Sequence, residues 1–156
     1  MRGVILGPGE GASVPNPVGG TLTFKIGSAD TDGALTAFES IAAPGEGPPL
    51  HIHVNDDEIF YALEGSFRFK LDGELRDAPA GTLAFIPKGV EHTWQNIGDE
   101  PGRLLIVTAP AGFERFFELF AQIPADASPA DEFRRIGDEI GMPVVGPPLA
   151  ESDPLY

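Results

Sequence analysis

Short stretches of apolar and polar residues alternate over the first two thirds of the chain, separated about every ten residues by glycine and proline. This rhythm is typical of an antiparallel β-sandwich or β-barrel. Asp72-Gly73 fits a tight hairpin, and Pro87-Lys88-Gly89 fits a bend. We predict strands near Gly3–Leu6, Thr21–Ile26, Ala34–Ile41, Leu50–Val54, Glu58–Leu63, Phe67–Leu71, Leu83–Ile86, Glu91–Ile97 and Arg103–Thr108.

The hydrophobic period changes from two to 3.6 after Pro110. The pattern there predicts one apolar helical face made of Phe113, Phe116, Phe117 and Phe120. A second helix should begin after Ser128, which can cap it, and stop at Gly141. We expect both helices to pack against the β-body, and the proline-rich tail to be extended.

The chain has 156 residues, a length that favours one domain. We expect a barrel core over about residues 20–110, a helical extension over about 111–141, and a tail over 142–156. Cysteine is absent, so disulfides and thiolate metal sites are excluded.

The formal net charge is −14, which disfavours nucleic acid and anionic membrane surfaces as partners. No apolar stretch is long enough for a signal peptide or a membrane span. We therefore expect a cytoplasmic protein.

All three histidines of the chain fall in two short segments. His51 and His53 would project from one face of a strand, about 6.6 Å apart at the backbone. Glu58 opens the next strand, and His92 follows the bend at Pro87. Three imidazoles and a carboxylate suit a divalent transition metal with open coordination positions. An H-x-H pair by itself often arises by chance, so the residues around it matter.

Two longer patterns surround these histidines. The pattern G-x5-H-x-H-x4-E-x6-G is filled by Gly45, His51, His53, Glu58 and Gly65. The pattern G-x5-P-x-G-x2-H-x3-N is filled by Gly81, Pro87, Gly89, His92 and Asn96. Both match the two motifs of the cupin superfamily, which this chain resembles most specifically over about residues 20–110.

The resemblance implies an all-β fold, a cupin-type β-barrel or double-stranded β-helix jelly roll, followed here by two short C-terminal α-helices. It implies one divalent transition metal ion, Fe, Mn, Ni, Co or Zn, bound by His51, His53, Glu58 and His92. Asn96 and the motif glycines would be structural. A homodimer is also expected from the resemblance.

Two-residue alternation from Glu58 and His92 directs Phe60 and Trp94 inward, and we expect Phe85 to complete an apolar pocket. Continued past Gly65, the same alternation would bury Arg68 and Lys70, so we expect a bulge or bend at that glycine. A pocket poor in cations argues against phosphorylated sugars and suits a planar or aromatic molecule.

The segments "DEIFYALEG", "GFERFF" and "GPPL" are most similar to a quercetinase-like clade of small single-domain cupins. That resemblance implies a dioxygenase that cleaves a flavonol or similar enol, with Glu58 serving as both ligand and catalytic base. Two alternatives stay open. One is a cupin that holds a metal and a small metabolite without turnover, and the other is an oxygen-independent isomerase or lyase.

Overall fold

The computed structural model describes residues 1–155 as two antiparallel β-sheets with short helices. The six-stranded sheet has the order β1-β2-β3-β10-β5-β8 and the five-stranded sheet the order β11-β4-β9-β6-β7. The strands of the first sheet are β1 (Ala12–Pro15), β2 (Thr21–Ile26), β3 (Thr36–Ala42), β10 (Gly102–Ala109), β5 (Asp57–Glu64) and β8 (Leu83–Ile86). Those of the second are β11 (Val144–Pro148), β4 (Pro49–His51), β9 (His92–Asn96), β6 (Ser66–Leu71) and β7 (Glu74–Pro79).

Several features of the strand prediction need correction. Strand β1 was not predicted, and the strand predicted near Leu50–Val54 ends at His51, so His53 lies just beyond it. Residues 3–6 form no strand, and Ile5 is 99% exposed. Strand β7 was not predicted. Only Ala78 on it is buried, so its sequence lacks the alternation of apolar and polar residues that marks a strand. The tail, predicted only as extended, contributes β11, which pairs with β4; its last residue, Tyr156, lies outside the described residues.

The chain passes from one sheet to the other at Gly65, between β5 and β6. Gly65 has φ +88°, a conformation that side-chain-bearing residues rarely adopt. After it, Phe67 and Phe69 are buried, while Arg68 pairs with Asp77 on the sheet's outer side. The predicted change of phase at Gly65 therefore occurs, as a corner between sheets. The Asp72-Gly73 hairpin is also confirmed, since both residues have positive φ.

Cross-strand pairing arranges the inner face of the six-stranded sheet in rows. One row contains Thr36, Thr108, Glu58 and Ile86. The next row contains Phe38, Ile106, Phe60 and Ala84. Opposite residues in such rows lie about 5 Å apart at their Cβ atoms, so Glu58 stands in the sheet beside a threonine and above an apolar layer.

The two C-terminal helices close the space between the sheets, α2 at Glu114–Phe120 and α3 at Pro129–Ile140. The predicted ends of α3 are confirmed: the Asp131 amide donates to Ser128 Oγ, and Gly141 is left-handed. Phe116 and Phe117 of α2 are buried, and Phe133 of α3 packs edge-on against Phe116. Single-turn helices α1 (Ser28–Thr31) and α4 (Leu149–Ser152) complete the elements.

The predicted fold class, mainly β with two short C-terminal helices, is confirmed. Within residues 1–155, none of the helices combines the length and apolarity needed to cross a bilayer.

Candidate metal centre

His51 and His92 face each other across two neighbouring strands. His51 ends β4 and His92 begins β9, and these two residues are directly paired in the five-stranded sheet. Their ring centroids lie 4.4 Å apart, and both side chains are buried. The pairing register of β4 and β9 therefore fixes two of the four predicted ligands.

His53 and Glu58 flank the turn that joins β4 to β5. The bend of the second motif is tied to this turn, because the Gly89 amide donates to the His53 carbonyl at 2.7 Å. The Lys88 amide donates to Asp57 Oδ1 at 2.9 Å. These bonds hold the two motifs side by side, although some forty residues separate His51 from His92.

Each of the three imidazoles is oriented by a hydrogen-bond partner at Nδ1. His51 Nδ1 lies 2.7 Å from the Pro49 carbonyl, and His92 Nδ1 lies 3.0 Å from the Val90 carbonyl. His53 Nδ1 lies 2.7 Å from Asp56 Oδ2. Since carbonyls and carboxylates only accept hydrogen bonds, Nδ1 carries the proton in each ring, and Nε2 of a neutral ring keeps a free lone pair.

The Nε2 atoms of His53 and His92 converge on the Glu58 carboxylate. His92 Nε2 lies 2.9 Å and His53 Nε2 lies 3.4 Å from Glu58 Oε2. His53 Nε2 is buried without a hydrogen-bond partner. One ligand atom from each of His51, His53, Glu58 and His92 lies within 4.8 Å of the others. This donor set fits a divalent metal ion, which would satisfy the unpartnered nitrogen and the carboxylate together.

The protonation preferences of these residues follow from burial and from each other. Burial, and then the neighbouring His92 and His53, hold the pKa of His51 well below its usual value, so this ring is neutral near pH 7. Burial is the largest effect and opposes charge on His53 and Glu58, but it is outweighed by their mutual attraction combined with the effect of Asp56 on His53 and of His92 on Glu58. The pKa of His53 is raised and that of Glu58 is lowered, so Glu58 is an anion.

An apolar cavity lies between the sheets and reaches Glu58. Its volume is about 50 Å³, space for only a few water molecules. Glu58, Asn16 and Ser40 are its polar lining residues, and no lysine or arginine lines it. The walls are mainly aromatic and include Phe38, Phe60, Trp94, Phe113, Phe116, Phe117 and Phe133. Phenylalanines of the helical extension therefore fill much of the space next to the metal centre.

Phe113 separates this cavity from a second one. The second cavity, about 160 Å³, is lined by His53, Asp56, Gly112 and Phe113, among others. The Phe113 ring lies 4.7 Å from the His53 ring, centroid to centroid. Phe113 thus lines both cavities, and it packs beside His53, the histidine that borders the more polar one.

Two of the three predicted pocket residues line the apolar cavity, namely Phe60 and Trp94. Phe85 does not, and its predicted placement is wrong. Glu58 pairs with Ile86 and Phe60 with Ala84, so alternation turns Phe85 to the outer face, where it pairs with Ile59 and is 52% exposed. The position of Phe85 depends on this register, which its local sequence does not reveal.

Two residues near the histidines were not singled out in advance. Asp56 was interpreted as a turn residue, but its carboxylate orients His53. Its position three residues after that histidine could have indicated this role. Phe113 was assigned to helix packing, and its place beside His53 depends on the chain path after β10. Asn96, expected to be structural, is buried and donates to the carbonyls of Ala42 and Glu100.

Comparisons with known proteins agree with this geometry. Residues 38–108 match the family model described as a cupin domain. The chain is 29% identical to the polyketide synthase CurC of Streptomyces cyaneus, over 72% of this chain and 75% of that protein. It is 31% identical to the tetracenomycin polyketide synthase protein TcmJ of Streptomyces glaucescens, over 51% of this chain and 52% of TcmJ, about half its length.

Among solved structures, KdgF from Halomonas sp. has a TM-score of 0.55 at 19% identity, covering 60% of this chain and 81% of KdgF. This likeness concerns the fold. The mainly β fold and the match of residues 38–108 to the cupin domain model agree with each other, and four buried residues of the chain can hold a metal ion.

Proposed function

We propose that this protein is a metal-dependent dioxygenase of the quercetinase-like kind, acting on a small aromatic or enolic compound. One observation carries the proposal: the Glu58 carboxylate of the metal-ligand set is also the charged wall of an otherwise largely apolar, aromatic cavity. A ligand in that cavity would meet the metal centre at one point and hydrocarbon over most of its remaining surface.

The charge of the cavity favours a substrate without phosphate. Phosphorylated ligands are usually held by arginine or lysine, and neither lines this cavity. A planar ring can instead pack against Phe60 and Trp94. Because the cavity is small, a ring-sized ligand must displace phenylalanine side chains of the helical extension, Phe113 among them.

The residues have distinct parts in this chemistry. A divalent ion held by the three histidines and Glu58 would supply Lewis acidity and, if redox-active, reactivity toward dioxygen. Glu58 is an anion in the cavity wall and can accept the proton of an enol or phenol hydroxyl. Asp56 holds the His53 ring in its orientation, and the aromatic walls exclude water from the reacting group.

A second candidate shares the proton step and needs no oxygen. CurC and TcmJ are named as polyketide synthase proteins, and polyketide chains carry carbonyl groups that enolise readily. Abstraction of a proton next to such a carbonyl by Glu58 would make this protein a metal-dependent isomerase or lyase. A third possibility is a protein that holds metal and metabolite without turnover.

Oxygen consumption separates these functions. The protein would be loaded in turn with Fe, Mn, Ni, Co or Zn, and oxygen uptake would be recorded with quercetin and with simple diphenols. We expect uptake with at least one metal, loss of uptake in Glu58→Gln, and normal uptake in Glu64→Gln. Glu64 is a matched control because it lies on the same strand but is paired with Arg103 at the surface.

The alternatives predict different results in the same experiment. Conversion of an enolisable substrate without oxygen uptake would support the isomerase or lyase and contradict the dioxygenase. Thermal stabilisation by the ligand without any product, whichever metal is loaded, would contradict both enzyme proposals.

We further propose that the protein forms a homodimer through the outer face of the six-stranded sheet. Ile59, Tyr61, Leu83 and Phe85 lie there as neighbours across β5 and β8, and each is 37% exposed or more. A contiguous apolar patch of this kind favours a partner surface. Light scattering should give twice the monomer mass for the wild type, and a monomer mass for Leu83→Ser/Phe85→Ser; a monomeric wild type would refute the proposal.

A further inference from the structure

The hydroxyl of Thr108 is buried without a hydrogen-bond partner. Thr108 is 0% exposed, and within residues 1–155 its Oγ1 is one of few buried side-chain polar atoms without a partner. Such a hydroxyl destabilises the fold relative to an apolar side chain of the same shape, such as valine. A buried hydroxyl without a hydrogen-bond partner in the fold indicates that its partner is a bound ligand or ion.

The position of Thr108 indicates which partner that is. Thr108 pairs directly with Glu58 across β10 and β5, and its burial shows that it faces the interior. On its other side Thr36 also pairs with it, but the Thr36 hydroxyl is already donated to Glu114. The free hydroxyl therefore stands next to the one carboxylate of the candidate metal centre.

We infer that Thr108 is a positioning residue whose hydroxyl donates a hydrogen bond to an anionic ligand bound beside Glu58 at the metal centre. The ligand class is an enolate or phenolate oxygen of the substrate, or a small inorganic anion in its place. The histidines cannot make this bond, because their Nδ1 protons are donated to Pro49, Asp56 and Val90, and their Nε2 atoms are the ones that would bind the metal. The inference rests on the proposed metal centre.

Azide binding to the Co(II)-loaded protein tests the inference without using catalysis. Azide is a small anionic ligand, and its binding changes the visible absorption of Co(II). Thr108→Val keeps the shape and removes the hydroxyl, and we expect it to raise the azide Kd about tenfold, the usual effect of one lost hydrogen bond. Thr108→Ser should restore the wild-type Kd.

Thr93→Val is the matched control. Thr93 is equally buried, but its hydroxyl donates to the Pro48 carbonyl at 2.6 Å, so its role lies within the fold. We expect Thr93→Val to leave the azide Kd unchanged and to lower the Tm of the metal-free protein. Thr108→Val should leave that Tm unchanged or raise it, since no bond of the fold is lost.

The possible failures are distinguishable. If the wild type binds no cobalt, the proposed metal centre fails. If Thr108→Val keeps one equivalent of cobalt and an unchanged azide Kd, the metal centre stands and the role of Thr108 is refuted. A Tm loss in Thr108→Val equal to that in Thr93→Val, or failure of Thr108→Val to fold, would show a structural role and equally refute the inference.

Discussion

Replacing Glu114 with glutamine removes the charge that anchors the first turn of α2 to the barrel. The Glu114 carboxylate accepts hydrogen bonds from the Ser28 amide at 2.8 Å and from the Gly112 amide at 3.1 Å. The hydroxyls of Ser28 and Thr36 also donate to it. Burial disfavours its charge, but hydrogen bonds from the Ser28 and Thr36 hydroxyls and from the backbone amides of Ser28 and Glu114 together outweigh burial and lower its pKa from 4.5 to about 2.

The pKa of Glu114 sets an upper limit on this stabilisation. A fall from 4.5 to about 2 corresponds to about 3 kcal/mol at 1.36 kcal/mol for each pKa unit. Glu114 is only half-buried, so screening by solvent reduces this to about 1.5 kcal/mol. We expect Glu114→Gln to lower the free energy of unfolding by about 1.5 kcal/mol at pH 7.

The pH dependence of this difference follows from the direction of the pKa change. Because the folded-state pKa lies below the unfolded value, the stabilisation is complete above about pH 4.5 and is lost as the pH falls toward 2. The wild type and Glu114→Gln should therefore converge in stability over this range. Urea unfolding of both proteins, metal-free, at steps from pH 7 to pH 3 measures the difference while the other titrating groups cancel.

Glu118→Gln serves as the control for Glu114→Gln. Glu118 lies on the same helix, is exposed, and meets only Arg115 at 3.6 Å, so its loss should cost less than 0.5 kcal/mol. Equal destabilisation by the two variants at pH 7, or a Glu114→Gln difference that stays constant down to pH 3, would refute the assignment.

Four further substitutions test other parts of the structure. His51→Ala should abolish metal binding, from about one equivalent per chain by elemental analysis, whereas Asp56→Asn should weaken metal affinity about 10- to 100-fold through loss of the His53 orientation; full metal retention by His51→Ala would refute the site. Phe113→Ala should lower the free energy of unfolding by about 2 kcal/mol, measured by urea unfolding. It should also join the two cavities and let water reach the metal centre, which raises water-proton relaxation by the Mn(II)-loaded protein. Unchanged relaxation would contradict the separating role of Phe113. Gly65→Ala should lower the free energy of unfolding by at least about 1 kcal/mol more than Gly45→Ala. Both glycines have positive φ, but only at Gly65 would the new Cβ lie 2.8 Å from a backbone atom, Gly102 Cα. Equal losses of stability would contradict this prediction.

The four candidate ligands could be predicted from the sequence because their spacing determines their geometry. His51 and His53 are separated by one residue on extended chain, and Glu58 follows after a turn, so local rules bring three of them together. The fourth, His92, is brought in by the pairing of β4 with β9. That pairing joins distant segments, and only the match to two known motifs made it predictable.

Other features depended on information that the local sequence lacks. Phe85 has the composition of a core residue, but the register of β8 against β5 decides which of its alternating faces is inside. Strand β7 is an edge strand with one buried residue, so it carries no hydrophobic period. The neighbourhood of Thr108 likewise follows from cross-strand pairing, since a threonine in an apolar strand has no local mark of a functional role.

The candidate metal centre and the helix that closes the cavity are linked through one row of side chains. Glu58, Thr108 and Thr36 are neighbours across three strands, and the Thr36 hydroxyl donates to Glu114 at the start of α2. Three of the ligands are histidines on or beside β4 and β9, held by backbone carbonyls and Asp56, and none of them contacts Glu114 through a hydrogen bond. Glu114 instead bonds to α1 and β3 and thereby fixes α2, whose Phe116 and Phe117 wall the cavity. A ligand larger than a few water molecules must move these rings, and the histidines can keep their orientation when it does, because their hydrogen-bond partners are not on α2. If the proposed function holds, the helical extension therefore governs the size of the accepted ligand, and the barrel residues supply the chemistry.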